Sequence, residues 1–195
     1  MKSMRLIIQS LFAVLVLAIT SGCAHIVSVK QTPLTGGQVL PHHAALVLNE
    51  EFAGYKHKMV LIGGSDTYPM GTALQDYARN VTAKSFQHIE VASSAEQAAS
   101  LMSDDLILIP RVVKSDNSLS KFIPFVPQKL TMTLVVEWTA KNRASQNTVW
   151  LKTTTANATA AAHRRGKLFQ KLFDDLNLKT YKAFQEAPEL RAGQP

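Results

Sequence analysis

The stretch LTMTLVVEWT, residues 130–139, alternates apolar and polar side chains along most of its length. Successive side chains of an extended chain point to opposite faces, so the large apolar ones would share one face: Leu130, Met132, Leu134, Val136 and Trp138. One buried and one solvated face is typical of an antiparallel strand covered on one side. After a polar loop at residues 141–147, the threonine-rich stretch 148–158 predicts the hairpin partner of this strand.

Shorter apolar runs upstream predict the remaining strands. Residues 106–109 (LILI) suit a central strand that continues to Val113. Pro110 within it predicts a bulge or an edge, because proline has no amide proton to donate to a neighbouring strand. Three further runs are also strand candidates, at residues 44–48, 58–62 and 89–91.

Three segments carry the signals of helices. Residues 70–86 and 163–184 place apolar side chains at helical spacing, and the second of these predicts a long amphipathic helix. Ser93-Ser94 followed by Glu96-Gln97 predicts a capping box that opens a short helix through Met102. The apolar face of the long helix comprises Leu168, Phe169, Leu172, Phe173, Leu176, Tyr181 and Phe184.

Five of the six strand candidates and the three helices give the order β-α-β-α-β-β-β-α, in which only one strand precedes the first helix. That order predicts an α/β (α+β) fold, with a single sheet of about five strands covered by helices. Residues 44–187 would form one domain, and residues 188–195 a frayed tail. Residues 23–43 contain two prolines and two glycines without apolar periodicity, which predicts a flexible tether.

The first 22 residues have the order of parts found in bacterial export signals. Lys2 and Arg5 form a short positive region, and an apolar stretch runs from Leu11 to Ile19. That stretch is far shorter than the ~20 apolar residues that a membrane-spanning helix needs. Residues 1–22 are therefore predicted to be a removable signal peptide.

The stretch LAITSGC, residues 17–23, resembles the lipobox of bacterial lipoproteins, although Thr20 stands where the family usually has leucine. The resemblance implies that the chain is cut before Cys23, its only cysteine, and that this thiol carries lipid. Two or more acyl chains hold a protein stably on a membrane. Ala24 in place of the family's retention aspartate implies the outer membrane, with the domain facing the periplasm. The alternative is an ordinary signal peptide that ends near a free thiol.

The chain is basic. Removing Lys2 and Arg5 with the signal peptide lowers the formal net charge from +7 to +5. For an exported protein, this favours contact with anionic lipid headgroups or glycan, and we expect no nucleic-acid partner. The basic residues are scattered, apart from a cluster at residues 163–167 (HRRGK).

The sequence lacks the patterns of common cofactor, metal and catalytic sites. Residues 63–66 (GGSD) have neither the glycine spacing nor the lysine of a phosphate-binding loop, and instead predict a turn into the helix at residues 70–86. No pair of the six histidines has the i,i+4 spacing of a helical zinc site. Adjacent carboxylates diverge instead of facing each other across a cleft: Glu50-Glu51, Asp104-Asp105 and Asp174-Asp175. We predict no cofactor, no metal and no catalytic residue.

The segment before the strand at residues 130–139 is unusually apolar for a loop. Residues 115–120 are polar, and residues 122–127 (FIPFVP) follow. The two prolines keep this segment from pairing as a regular strand. Its four large apolar side chains must then be either buried in the core or exposed to solvent. One interpretation folds them into the core. The other exposes a patch that binds a protein partner or a lipid surface, with these candidate residues: Phe122, Ile123, Phe125 and Val126.

The order of elements and the lipid anchor together are similar in outline to small periplasmic accessory lipoproteins, in which a helix-covered sheet docks on a larger envelope assembly. The resemblance covers most of residues 44–184 and is topological, so it implies no functional residue. It implies a non-catalytic accessory or binding module in envelope assembly, transport or maintenance, with an envelope protein as partner. One alternative is a carrier or sensor of lipid or glycan, with a lipid-sized pocket under the long C-terminal helix. A second is an envelope hydrolase, which needs Ser65 or another serine to meet a histidine and an acid.

Overall fold

The computed structural model of the 195-residue chain describes residues 27–61, 64–101 and 105–191. Within these ranges the chain forms seven strands, four α-helices and one short 3-10 helix. In chain order they are β1 (Leu40–Val47), α1 (Glu50–Ala53), β2 (Lys56–Leu61), β3 (Gly64–Pro69), α2 (Gly71–Ser85), β4 (Phe86–Ala92), α3 (Ala95–Ser100), β5 (Leu106–Leu119), β6 (Lys129–Asn142), β7 (Thr148–Ala161), α4 (Arg165–Glu186) and the 3-10 helix Pro188–Leu190. The predicted signal peptide, Cys23 and Ala24 lie outside the described residues.

The main sheet has five strands in the spatial order β4-β1-β5-β6-β7. Strand β1 pairs in parallel with β4 and with β5, whereas β5, β6 and β7 form an antiparallel meander. The predicted α+β fold with a five-stranded, helix-covered sheet is confirmed. Strand β2 corresponds to the strand candidate at residues 58–62, whereas helix α1, strand β3 and the second sheet are not part of the prediction.

The alternation in residues 130–139 is present in β6. Its large apolar residues are all 0% exposed, whereas the residues between them are half-buried on the opposite face. In β5, the edge predicted at Pro110 is present, and a bulge occurs three residues later. Strand β1 pairs with β5 only as far as Leu108, so Pro110 lies where that edge of β5 has no β1 neighbour, and the register shifts between Val112 and Lys114.

The turn predicted at residues 63–66 is wrong. Gly64–Pro69 is strand β3, and it pairs antiparallel with β2 to form a second, two-stranded sheet. The reason is tertiary: Met59 and Tyr68 are 0% and 2% exposed, and the Tyr68 ring lies 5.2 Å from that of Phe169 on α4. A locally polar sequence therefore becomes a strand because one face of the hairpin is buried.

Helices α2 and α4 cover one face of the main sheet, and the core lies between them. Trp138 of β6 is fully buried, and its indole N–H donates to the Tyr77 hydroxyl of α2 at 2.8 Å. That hydroxyl also bonds with Thr180 of α4 at 2.7 Å, so the three elements share one buried polar contact. Burial raises the pKa of Tyr77, which keeps the hydroxyl protonated. The apolar face predicted for α4 is buried in full.

The opposite face of the sheet is covered only in part. Helix α3 packs there on a small apolar cluster that includes Val47, Ala98 and Ile107. The predicted capping box opens this helix, since the Ser94 hydroxyl accepts from the Gln97 N–H at 3.2 Å. The odd-numbered residues of β6 and β7 continue this face as a threonine-rich, solvated surface.

Both ends of the domain extend beyond the predicted boundaries. Strand β1 begins at Leu40, and Val27 and Leu34 before it are only 6% and 8% exposed, so the described part of the predicted tether packs on the domain. At the other end Leu190 is 0% exposed within the 3-10 helix, so the predicted frayed tail begins too early. Isolated apolar residues in irregular segments give no periodic signal, which explains both errors.

Candidate functional site

The apolar loop, residues 121–128, joins β5 to β6 at one end of the sheet. Ser120 and Lys129 pair at the base of the loop. The Ser120 N–H donates to the Lys129 carbonyl at 2.8 Å, and the Ser120 hydroxyl accepts from the Lys129 N–H at 2.9 Å. The Gln128 carbonyl accepts from the Ala162 N–H at 2.9 Å, which ties the loop to the connection between β7 and α4. The base of the apolar loop is therefore fixed by backbone contacts.

The tip of the apolar loop is a tight turn. The Val126 N–H donates to the Ile123 carbonyl at 3.1 Å, so Pro124 and Phe125 are the central residues of a β-turn. Phe125 has φ of +64°, in the left-handed region. Turns with a positive φ at the third position favour glycine, and the left-handed conformation costs other residues about 1–2 kcal/mol.

The apolar side chains of this loop face solvent. Phe122 is 73% exposed and Phe125 is 107% exposed, while Ile123 and Val126 are 55% and 52% exposed. Of the two interpretations of the sequence, the one in which these side chains complete the core is therefore wrong for this chain alone. The four candidate residues do lie together, on one protruding turn.

The surroundings of the apolar loop are basic. Residues 117–129 and 159–171 contain six lysines and arginines and no aspartate or glutamate. The two segments are adjacent, because Lys129 pairs with Ala161 and Gln128 bonds to Ala162. Five of the six cationic residues are exposed: Lys121, Lys129, Arg164, Lys167 and Lys171.

The sixth cation, Arg165, attaches the β2–β3 hairpin to this end of the molecule. Its guanidinium donates to the Asp66 carboxylate at 2.6 Å and to the Tyr68 hydroxyl. It also lies over the Tyr68 ring, 5.8 Å from the centroid. Burial raises the pKa of Tyr68, and the neighbouring Arg165 opposes that shift. The contacts of Arg165 are therefore structural, whereas the other five cations are exposed.

The segment before β1 runs along α4 in the direction of the helix. The Lys30 N–H donates to the Gln170 side chain at 2.8 Å, and further along the Gln38 N–H donates to the Gln185 side chain at 2.9 Å. Lys30 thus lies beside the second turn of α4, and Gln38 beside its last turn. The upstream end of the segment is therefore directed toward the helix N-terminus, where the apolar loop also lies.

A polar cluster that the sequence analysis missed lies where β2 meets β5. The Ser115 hydroxyl is 2.8 Å from the His57 Nδ1 and also bonds with the Tyr55 hydroxyl. Burial lowers the pKa of His57, and Asn117 and Asp116 oppose the shift. His57 is only 3% exposed, so this serine–histidine contact joins the hairpin to β5 and does not line an open cleft.

The residues considered for chemistry in the sequence have contacts within the fold. Ser65 is an exposed residue of β3. Asp174 accepts from Thr32 at 2.8 Å, and Asp175 accepts from the Asn157 N–H at 2.9 Å, on the outer edge of β7. Across residues 27–61, 64–101 and 105–191, no three histidine, cysteine or carboxylate side chains are grouped to hold a metal ion.

No family model and no curated protein matches the sequence. Among solved structures, protein XCC0632 from Xanthomonas campestris, of family DUF330, superimposes with a TM-score of 0.53 at 11% identity. The match covers 82% of this chain and 91% of that one. The two proteins share a fold.

Two other solved structures are more loosely similar. A Helicobacter pylori protein named for its likeness to a neuraminyllactose-binding hemagglutinin has a TM-score of 0.47 at 7% identity, over 80% of this chain and 88% of that one. A minor lipoprotein from Acinetobacter baumannii has a TM-score of 0.40 at 10% identity, over 76% and 93%. Overlaps this loose support no argument about function.

The space around α4 bears on the carrier hypothesis. The inner face of α4 is filled by the core, and an open groove of about 610 Å³ lies beside its C-terminal half, against the edge of β7. Threonines, lysines and glutamates contribute much of its lining, including Thr153, Lys182 and Glu186.

No helix in the described part of the chain is long and apolar enough to cross a bilayer.

Proposed function

We propose that this chain is a lipid-anchored lipoprotein of the bacterial outer membrane that acts in the periplasm as a non-catalytic accessory or binding module. The lipobox at residues 17–23 supports the anchor at Cys23. The fold shared with the Xanthomonas protein is compatible with this role but does not specify it. The contact site of the module is the apolar loop.

The exposure of the apolar loop is the observation that carries this proposal. Four large apolar side chains protrude from a turn whose base is fixed by hydrogen bonds. Phe125 also has a backbone conformation that glycine would adopt at lower cost. An unfavourable conformation that gives the fold no buried contact is expected where it serves binding. A binding surface therefore fits this site better than a catalytic cleft.

The carrier of a lipid or glycan is the second candidate function. The groove beside α4 favours it, because the volume of about 610 Å³ is within the range of ligand sites. Its polar lining suits a glycan better than an acyl chain. A glycan that copurifies with the full chain, and is lost when Lys182 is changed to Glu, would support this second function.

Intact mass and membrane fractionation test the anchor. We expect a mature chain that begins at Cys23, carries acyl chains and remains with the membrane after salt washing. The Cys23→Ser variant should lack the lipid and remain uncut. A free thiol on Cys23, or a wild-type chain found in the soluble fraction, would contradict the proposed anchor.

Photocrosslinking in native membranes tests the contact site. A photoreactive side chain at position 125 should crosslink strongly to the molecule that the apolar loop contacts. The same group at position 178 is the matched control and should crosslink weakly, because Leu178 is an exposed apolar residue of α4 outside that loop. The Phe122→Ser/Phe125→Ser double variant should lose the contact without a lower Tm. Equal crosslinking at both positions would mean that the apolar loop is not the contact site.

A further inference from the structure

One end of the molecule, which we name the docking pole, consists of the apolar loop (residues 121–128) and the adjoining segment at residues 161–171. Three features meet there. The first is the exposed apolar turn, the second is the basic character of both segments, and the third is the direction of the chain before β1. Each has a separate origin in the sequence. Together they indicate which surface of the protein lies against the membrane.

The basic residues of the docking pole match an anionic lipid surface. Residues 117–129 and 159–171 contain no aspartate or glutamate, and although Arg165 pairs with Asp66 of the β2–β3 hairpin, the other five cations of these segments are exposed. Each lysine or arginine near an anionic membrane surface adds to the electrostatic attraction. Long basic side chains can also reach headgroups while apolar neighbours enter the bilayer below them.

The shape of the apolar loop favours a bilayer over a protein groove. Its tip is a single protruding turn, and Phe125 at that tip is exposed on all sides. Shallow insertion of apolar side chains beneath a layer of cations is the arrangement by which amphipathic segments bind membrane interfaces. The two prolines restrict the backbone of the turn before it binds, which lowers the entropy lost on insertion.

The chain before β1 brings the lipid anchor to the same end. Lys30 lies beside Gln170 and Gln38 beside Gln185, so the described segment, which begins at Val27, has its upstream end toward the N-terminus of α4. Three residues separate Cys23 from Val27, so the acylated sulfur lies within roughly 14–18 Å of the Val27 backbone even if the chain is fully extended. An anchor so short holds this end of the domain near the headgroups.

We propose that the docking pole rests on the bilayer that carries the lipid anchor, with Phe122 and Phe125 inserted among anionic headgroups. This inference depends on the proposed anchor at Cys23. It gives the domain a fixed orientation, in which the groove between β7 and the C-terminal half of α4 is turned away from the membrane. A protein partner bound at the apolar loop is the competing outcome of the test.

The single cysteine of the chain makes a direct test possible. With Cys23 acylated, a Phe125→Cys variant has one reactive thiol, which can carry an environment-sensitive fluorophore. The matched control is Leu151→Cys, because Leu151 is also an exposed apolar residue but lies ten residues before Ala161 on β7. At ~3.3 Å per residue, that places it about 33 Å from the docking pole.

The lipidated full-length chains are reconstituted in phosphatidylcholine vesicles with and without phosphatidylglycerol. We expect the label at position 125 to shift its emission to the blue and to be quenched by nitroxide lipids, most strongly with phosphatidylglycerol. The label at position 151 should remain as in water. Arg164→Glu/Lys167→Glu should remove the preference for phosphatidylglycerol while the chain stays anchored.

Two results would overturn the inference. If the labels at positions 125 and 151 are equally exposed to water on anchored protein, the docking pole does not touch the bilayer, although the anchor itself stands. If position 125 crosslinks to a protein in native membranes and is not quenched by nitroxide lipids, the contact is with that protein. Failure of the anchor would appear separately, as absence of acyl chains on Cys23.

Discussion

His57 shows how one side chain couples the β2–β3 hairpin to the main sheet. It is buried on β2 and bonds through Nδ1 to the Ser115 hydroxyl of β5. Burial disfavours its protonated form and lowers its pKa below the ordinary histidine value of 6.5. In the unfolded chain the same imidazole takes up a proton near that value, so acid favours unfolding.

We expect the free energy of unfolding to decrease as the pH falls below about 6.5, because the unfolded state then binds a proton that native His57 resists. The stabilisation is fully present above the unfolded pKa and is lost on acidification. Urea unfolding of the purified chain between pH 7.5 and pH 5 measures it. The His57→Asn variant, which retains a polar atom near Ser115, should show a shallower pH dependence.

Met59→Ala is the control for that measurement. Met59 lies two residues further along β2 and is 0% exposed, so the substitution destabilises the same hairpin without removing a titratable group. Its unfolding free energy should be lower at every pH and follow the wild-type slope. If His57→Asn also follows the wild-type slope, another group governs the acid sensitivity.

At the scale of elements, the segment before β1 behaves as part of the domain. It has no regular secondary structure over residues 27–39, yet Leu34 belongs to the main core cluster together with residues of α2 and α4. Val39, by contrast, is 60% exposed. The contribution of the segment before β1 to stability therefore comes from a few buried side chains and from hydrogen bonds to α4.

We expect Leu34→Ala to lower the free energy of unfolding by about 2–4 kcal/mol, because it removes a buried side chain and leaves a cavity. Val39→Ala should change it by less than about 0.5 kcal/mol, since the valine is mostly exposed. Denaturant unfolding of the two variants beside wild type gives the comparison. Equal, small effects would mean that the segment is a free tether in solution.

At the scale of the whole molecule, one core unites the elements. The main apolar cluster includes Met59 and Tyr68 of the β2–β3 hairpin as well as the buried faces of α2, α4 and the sheet. Phe184 of α4 lies 5.2 Å from each of the two tryptophan rings, Trp138 and Trp150. Separate unfolding of the sheet and the helices would expose this shared surface.

Thermal unfolding should therefore be a single transition. Tryptophan fluorescence reports on the core around Trp138 and Trp150, and far-UV circular dichroism reports on the helices and strands as a whole. For a cooperative two-state domain, the two signals give the same Tm. A helix signal that is lost several degrees below the fluorescence transition would contradict a single cooperative unit.

Local sequence patterns were sufficient to predict the main sheet and the helices that cover it. Alternation in residues 130–139 and helical spacing in residues 163–184 are local properties, and both predicted which side chains are buried. Pro110 was interpreted correctly for the same reason, since its missing N–H restricts pairing wherever the strand lies. The resemblance of residues 17–23 to a lipobox is likewise local, and the anchor that it implies stays a prediction.

The other features depend on contacts between parts of the chain that are distant in sequence. Gly64–Pro69 is a strand because Tyr68 meets Phe169, a residue 101 positions later in the chain. Residues 27–39 pack on the domain because glutamine side chains of α4 accept hydrogen bonds from their backbone. The apolar loop could have completed the core or protruded, and its exposure follows from the other elements having already filled the core. Burial in segments without periodicity depends on distant surfaces, and no local pattern encodes it.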